Sequence, residues 1–224
     1  MNTLLVIDPQ NDFLDRGNAT LKVPGATKDM QRLTRWFRDA RETLDDVIVT
    51  LDTHEFMDIG HPAFWRDANG GLVGRHTVWP AHCVIGSRGH AIERNFNVAI
   101  SQWELSKGRS AARIMKGMNR FCESYSAIEA EVPDAGDPAT LTNWPLIDRV
   151  LKADFIFVAG QALSHCVKAT VTDLIYKSGK NPGDIARKLV LLRDAMSPVA
   201  GFEQQGEEFI EMCRGLGASI ITIE

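Results

Sequence analysis

The sequence predicts an α/β fold: three αβα layers around a mostly parallel sheet of about six strands. Three observations carry that prediction. Short apolar runs rich in β-branched and aromatic residues recur at residues 4–7, 47–51, 155–158, 189–192 and 219–223, with 113–116 as a sixth candidate. Between them lie stretches whose apolar residues repeat at helical spacing. The runs at 4–7 and 47–51 stop directly at an acid, Asp8 and Asp52, and the run at 189–192 stops just before Asp194. Strands alternating with helices imply parallel pairing with both faces of the sheet covered.

Each element has its own reason. Residues 4–7 form a buried strand that ends at Asp8-Pro9, where the chain leaves the sheet as a loop through Phe13. Met30, Leu33, Trp36, Phe37 and Ala40 fall on one face of a helix over 27–41. Residues 47–51 form a second strand ending at Asp52. Residues 53–100 break the pattern. They hold five of the six histidines together with Trp65, Trp79, Pro80 and Gly86, and read as a long insertion of site-building loops, with 91–103 either a short helix or irregular. Residues 118–142, punctuated by Pro133, Gly136 and Pro138, read as a loop or small subdomain. A helix over 144–152 leads into the strand at Phe155. Ser164 then reads as the cap of a helix whose buried face carries Val167, Val171, Leu174 and Ile175. A turn at 178–183, a strand at 189–192, a helix at 203–214 and a strand at 219–223 complete the chain. With no repeat, linker or low-complexity tract, residues 1–224 read as one domain.

Composition narrows the function. Of the 224 residues, 44% are hydrophobic and 24% charged, enough for a full core. A net charge of −4 gives no electrostatic footprint for nucleic acid or an anionic membrane. No apolar run approaches the roughly 18 residues of a membrane span. The N-terminus has no basic segment and meets Asp8 early, so it reads as no signal peptide. Cys83, Cys122, Cys166 and Cys213 are scattered and form no CxxC pair, which reads as reduced thiols in the cytoplasm.

Two constellations carry chemistry. Asp8, Lys116 and Cys166 stand at or just beyond strand ends, which share one edge of a parallel sheet. Cys166, placed in the first turn of a helix, is expected to have a thiol pKa below its free value of about 8.5. Asp8 can take the thiol proton, Lys116 can stabilise the anion, and the backbone N–H groups of Ala162 and Cys166 can receive an oxyanion. Lys107 is a rival to Lys116. The second constellation is Asp52, His54, His61 and His82, a carboxylate and imidazoles suited to Zn²⁺, Fe²⁺ or Mn²⁺. His76 and His90 read as non-ligands, and His165 as pointing away from the pocket.

Several motifs, in order along the chain, resemble one family: Val6-Ile-Asp-Pro-Gln-Asn-Asp-Phe13, Asp52-Thr-His54, Trp79-Pro-Ala-His-Cys-Val-Ile-Gly86, Lys116-Gly117 followed by Glu123-Ser-Tyr-Ser-Ala127, and Ser164-His-Cys-Val167. Together they are similar to the nicotinamidase branch of the isochorismatase-like cysteine hydrolases. The resemblance implies a hydrolase that converts nicotinamide to nicotinate and ammonia through a cysteine thioester. It implies Asp8, Lys116 and Cys166 as the catalytic triad and favours Lys116 over Lys107. It implies Asp52, His54 and His82 as ligands of a divalent metal, zinc first, with His61 a candidate fourth. It places Phe13 and Trp79 about the substrate ring and a cis peptide at Gln161-Ala162. Homo-oligomers are common in the family. Two features depart from its pattern: Ser164 stands where many members carry Asp, and the spacing from His54 to His61 is longer. A cysteine hydrolase of carbamoyl or ureido substrates, or a non-catalytic binding protein on the same fold, are the alternatives the sequence leaves open.

Overall fold

A computed structural model describes residues 1–67, 69–71, 73 and 78–224. Its sheet has six parallel strands: β1 (Asn2–Ile7), β2 (Asp46–Asp52), β3 (Ala112–Lys116), β4 (Phe155–Gly160), β5 (Leu189–Leu192) and β6 (Ser219–Ile221). The strand order is β3-β2-β1-β4-β5-β6. The chain therefore winds outward in one direction from β1 to β3 and in the other from β4 to β6. Sheets of this kind open a crevice between the two central strands, at their C-terminal ends.

The pleat explains the layers. Alternate residues of a strand face opposite sides. Leu5 and Ile7 pack under α3 (Trp144–Leu151), α4 (Lys168–Lys177) and α6 (Glu203–Gly215), meeting Ile147, Val171 and Phe209. Leu4 and Val6 face α1 (Ala26–Ala40) and α2 (Arg94–Lys107), meeting Leu33, Phe37 and Trp103. Phe37 and Phe96 join α1 to α2 edge to face, with centroids 5.5 Å apart. All four cysteines are free and buried.

The structure corrects the sequence reading at several places. The irregular insertion ends at Glu93, because that carboxylate caps a full helix by accepting from Phe96 N–H. Phe96, Ala99, Ile100 and Trp103 give α2 its buried stripe. Phe155 begins β4 half exposed, so the buried part of that run starts at Ile156. A short helix, α5 (Pro182–Ala186), follows the turn at Asn181, whose side chain caps it. The last strand stops at Ile221 because the Ile223 and Glu224 N–H groups turn onto the Asp194 carboxylate at 2.9 and 3.1 Å. His76 lies outside the described residues.

No helix among the described residues is long and apolar enough to cross a membrane. Phe37 is fully buried between two helices and the sheet. Phe37→Ala is expected to lower unfolding free energy by about 3–5 kcal/mol, read from the urea midpoint at unchanged slope. A shift equivalent to less than about 1 kcal/mol would mean that this layer repacks around the gap.

Candidate active site

Four strand ends deliver the site. Asp8 follows β1, Asp52 ends β2, Lys116 ends β3, and Cys166 lies in the turn after β4. The pairing register sets Asp52 directly beside Lys116. Asp8 adopts φ +45°, a left-handed conformation that non-glycine residues rarely take. Thr50 on β2 holds it there: Asp8 N–H donates to Thr50 Oγ1 at 3.1 Å, and Thr50 Oγ1–H donates to Asp8 Oδ1 at 2.5 Å. Gly160 closes the gap between the two central strands. A Cβ there would lie 2.0 Å from Ile7 O, so only glycine lets the Cys166 turn come this near β1.

Lys116 is the hub. Its Nζ lies 2.7 Å from Asp52 Oδ1, 3.2 Å from Asp8 Oδ2, 2.7 Å from Ser124 O and 3.6 Å from Cys166 Sγ. Asp8, Asp52, Lys116 and Cys166 are all buried. Lys107 instead donates to Glu42 O, in the turn that precedes β2, at the opposite end of that strand from Asp52. Burial disfavours charge on Lys116, yet Asp52 and Asp8 overcome it and hold its pKa well above the usual lysine value. Burial raises the Asp8 pKa, and the opposing pull of Lys116 does not cancel it. Asp52 is also desolvated, but Lys116 and His54 keep it well below the usual carboxylate range.

Cys166 differs from the sequence expectation in two respects. Its turn, Leu163–Val167, is a wide π-type turn that opens α4; Ser164 does not cap it, and Ala162 occupies the cap position. Ser164 Oγ instead accepts from Val199 N–H at 3.1 Å and lies 2.8 Å from His165 Nδ1. The thiol pKa is raised, not lowered. Burial dominates, and the Asp8 and Asp52 carboxylates add to it, against the single favourable charge on Lys116. These surroundings favour the protonated thiol over the thiolate, with Asp8 among the groups that act on it. The Gln161-Ala162 peptide is cis.

The second cluster joins the first through Asp52. Its Oδ2 lies 3.1 Å from both His54 Nε2 and His82 Nε2. His82 Nδ1 lies 2.8 Å from Pro80 O, so that nitrogen bears hydrogen and Nε2 turns a lone pair toward the carboxylate. His54 sits between two carboxylates, with Nδ1 3.1 Å from Asp58 Oδ2. His61 Nδ1 faces Phe56 O, which leaves Nε2 as an acceptor. One ligand atom from each of His54, His61 and His82 falls within 4.8 Å of the others. Lone pairs meeting at 3.1 Å need a cation between them, and metal bonds of about 2.0–2.2 Å set neighbouring ligand atoms about 3 Å apart. Among Asp8, Asp52, Asp58 and Lys116, three buried carboxylates face one ammonium, an excess that a divalent ion would neutralise. The residues therefore fit a divalent metal. Burial and the two neighbouring imidazoles lower the His61 pKa to about 4, which keeps its ring neutral. Burial works against charge on His54, but Asp52 and Asp58 lift its pKa to about 10, so a proton stands in where the metal would.

A pocket of about 20 Å³ opens onto both clusters, room for about one water. Phe13 and Trp79 line it, with Asp52, His82, Ala162 and Cys166. His165 lines it as well, contrary to the expectation that it points away. Its ring packs 5.2 Å from Trp79 and 5.5 Å from Tyr125, because the wide turn swings the side chain toward the pocket. His90 is no ligand: Nε2 pairs with Thr53 Oγ1 at 3.0 Å. Sequence reasoning missed Thr50, Asp58, Glu123 and Tyr125. It also missed Gln10, whose side chain bonds both the N–H and the C=O of Asp52, at 2.8 and 2.7 Å. Only Gln10, Glu123 and Tyr125 lay inside recognised motifs.

No family model matches the chain. Relatives and solved structures do. The chain is 31% identical over 182 residues to the nicotinamidase of Escherichia coli, covering 77% of this chain and 75% of that protein. The yeast nicotinamidase bound to the inhibitor nicotinaldehyde superposes with a TM-score of 0.71 at 20% identity, covering 99% and 100% of the two chains. The pyrazinamidase of Pyrococcus horikoshii in complex with zinc gives 0.64 at 23% identity, covering 99% and 98%. With its six-stranded parallel sheet and this level of identity, the chain belongs to the nicotinamidase family of isochorismatase-like cysteine hydrolases.

Proposed function

We propose that the chain, acting as one hydrolase domain, converts nicotinamide and water to nicotinate and ammonia. The observation that carries this reading is the Lys116 ammonium, which touches Asp8, Asp52 and the Cys166 sulfur in one buried pocket. Asp8 serves as the base. Its carboxylate takes the Cys166 proton as the sulfur attacks the carboxamide carbon. The raised thiol pKa is compatible with this order, because the proton leaves only when the carbonyl is in place. Ala162 and Cys166 N–H groups receive the oxyanion. Asp8 then hands its proton to the departing nitrogen, giving ammonia and a thioester. Water loses a proton to Asp8 and attacks the thioester, which releases the acid and returns the thiol. Lys116 stays charged throughout and offsets whichever of Asp8 or Cys166 is anionic.

Asp52, His54 and His82, with His61 as fourth ligand, would hold the metal, and zinc is the first choice given this donor set and the zinc-bound relative. When bound, it supplies a Lewis acid for the pyridine nitrogen and so orients the ring. Phe13 and Trp79 then flank the ring and exclude water from its faces. Asp58 fixes His54 from behind, as carboxylates commonly do for metal-bound imidazoles.

Cys166→Ala is expected to cut ammonia release by about 10³-fold or more with an unchanged melting temperature; residual turnover near wild type would remove the nucleophile. The acid limb of kcat/KM follows Asp8 in the free enzyme. Because burial raises the Asp8 pKa above 3.8, activity is lost as pH falls through that raised value. A limb at or below 3.8 would show that Lys116 outweighs burial at Asp8, and an Asp8→Asn variant with turnover near wild type would rule Asp8 out as the base. Asp58→Asn is expected to weaken Zn²⁺ binding about 10–100-fold in competition with a chromophoric chelator. Unchanged affinity would show that Asp58 does not orient His54.

A further inference from the structure

The inner pocket has a thin wall with a larger space behind it. Trp79, Tyr125 and His165 line the pocket on one side and an outer cleft of about 450 Å³ on the other. Small-molecule sites usually run about 300–1,000 Å³, so the cleft is of ligand size and the inner pocket is not. The wall is one side chain thick. A single hydrogen bond between uncharged groups, Trp79 Nε1–H to Tyr125 OH at 2.9 Å, spans it. The rest is ring edges: His165 meets Phe202 at 4.7 Å, and Trp79 meets Phe202 at 6.2 Å. At about 20 Å³ the inner pocket admits an aromatic ring only when its lining side chains shift.

The cleft has its own chemistry. Lys177 pairs with Glu129 at 2.5 Å and with Asp173 at 3.3 Å. Glu131 and Lys168 complete the charged lining, so three carboxylates face two ammonium groups. The balance is negative by one charge, which disfavours an anionic occupant. Ala169 and Thr172, three residues apart on α4, supply an uncharged floor.

We propose that the outer cleft is a substrate subsite, so that the enzyme accepts aromatic amides longer than nicotinamide. The ring fills the inner pocket, and a neutral or cationic arm passes the Trp79–Tyr125–His165 wall into the cleft. The arm leaves from C5, the ring carbon meta to both the ring nitrogen and the carboxamide, which faces away from both the histidine cluster and the sulfur. This inference rests on the amidase reading of the inner pocket.

The test measures ammonia release from nicotinamide and from its 5-propyl, 5-(3-aminopropyl) and 5-(2-carboxyethyl) derivatives. Wild-type enzyme is expected to turn over the propyl and aminopropyl compounds with kcat/KM at least about equal to that for nicotinamide, and the carboxyethyl compound about threefold less well, the size of an exposed charge effect. Ala169→Trp fills the cleft and is expected to lower turnover of every 5-substituted amide about tenfold or more while leaving nicotinamide unchanged. Glu131→Lys is expected to reverse the preference between ammonium and carboxylate arms, an effect that shrinks in about 1 M salt. The nicotinamide rate of each variant reports that it has folded. Loss of turnover for all three derivatives with nicotinamide intact would overturn the subsite. So would an Ala169→Trp variant that handles them like wild type. A wild-type enzyme inactive on nicotinamide as well would take down the underlying amidase reading.

Discussion

One buried ammonium organises this molecule's chemistry. Lys116 Nζ sits within 3.2 Å of two carboxylates and 3.6 Å of a sulfur, and all four groups are buried. Taking such charges out of water is costly, and a lone member of the set would be expelled or neutralised. Each is tolerated because of the others. Asp52 keeps Lys116 charged, Lys116 keeps Asp52 charged, and Asp8 is left with a raised pKa between a base and an acid. The topology supplies this closeness. Four strand ends meet at one edge of a parallel sheet, and three of the four side chains follow directly from strands in register.

Asp52 gives the arrangement a second dimension. One oxygen serves the lysine and the other faces two imidazoles. The two clusters therefore share a charge. What occupies the histidine side sets how much of that charge the lysine feels, and hence how strongly the lysine acts on the sulfur. Gln10 fixes the shared residue from its backbone, and Asp58 lies 3.1 Å from the far nitrogen of the His54 imidazole. Neither touches the reaction pocket.

Much of this was legible from the residues alone. Apolar runs ending in Asp8 and Asp52 gave away both the strands and the edge on which they end. The sequence also placed Lys116, Cys166 and His54 at or just past those ends, and put His61 and His82 in the loop insertion that follows β2. What local pattern could not give was environment. The Cys166 thiol was expected to be acidic from its place at a helix start. Its pKa is raised instead, because burial and two carboxylates outweigh the pull of Lys116. A π-type turn has no sequence period of its own, so the direction of His165 was misjudged and Ser164 looked like a cap. Thr50 and Asp58 act at 42 and 4 residues' distance from their partners, in a strand interior and an irregular loop, where no spacing rule applies.

The raised pKa of Cys166 has a further consequence, for durability. Peroxide and electrophiles consume the anionic form of a cysteine, and susceptibility follows exposure and thiolate character. A sulfur that is 6% exposed, and whose pKa burial and two carboxylates raise, offers such reagents little surface and little thiolate. The same neighbours that disfavour its ionisation thus act as a safeguard.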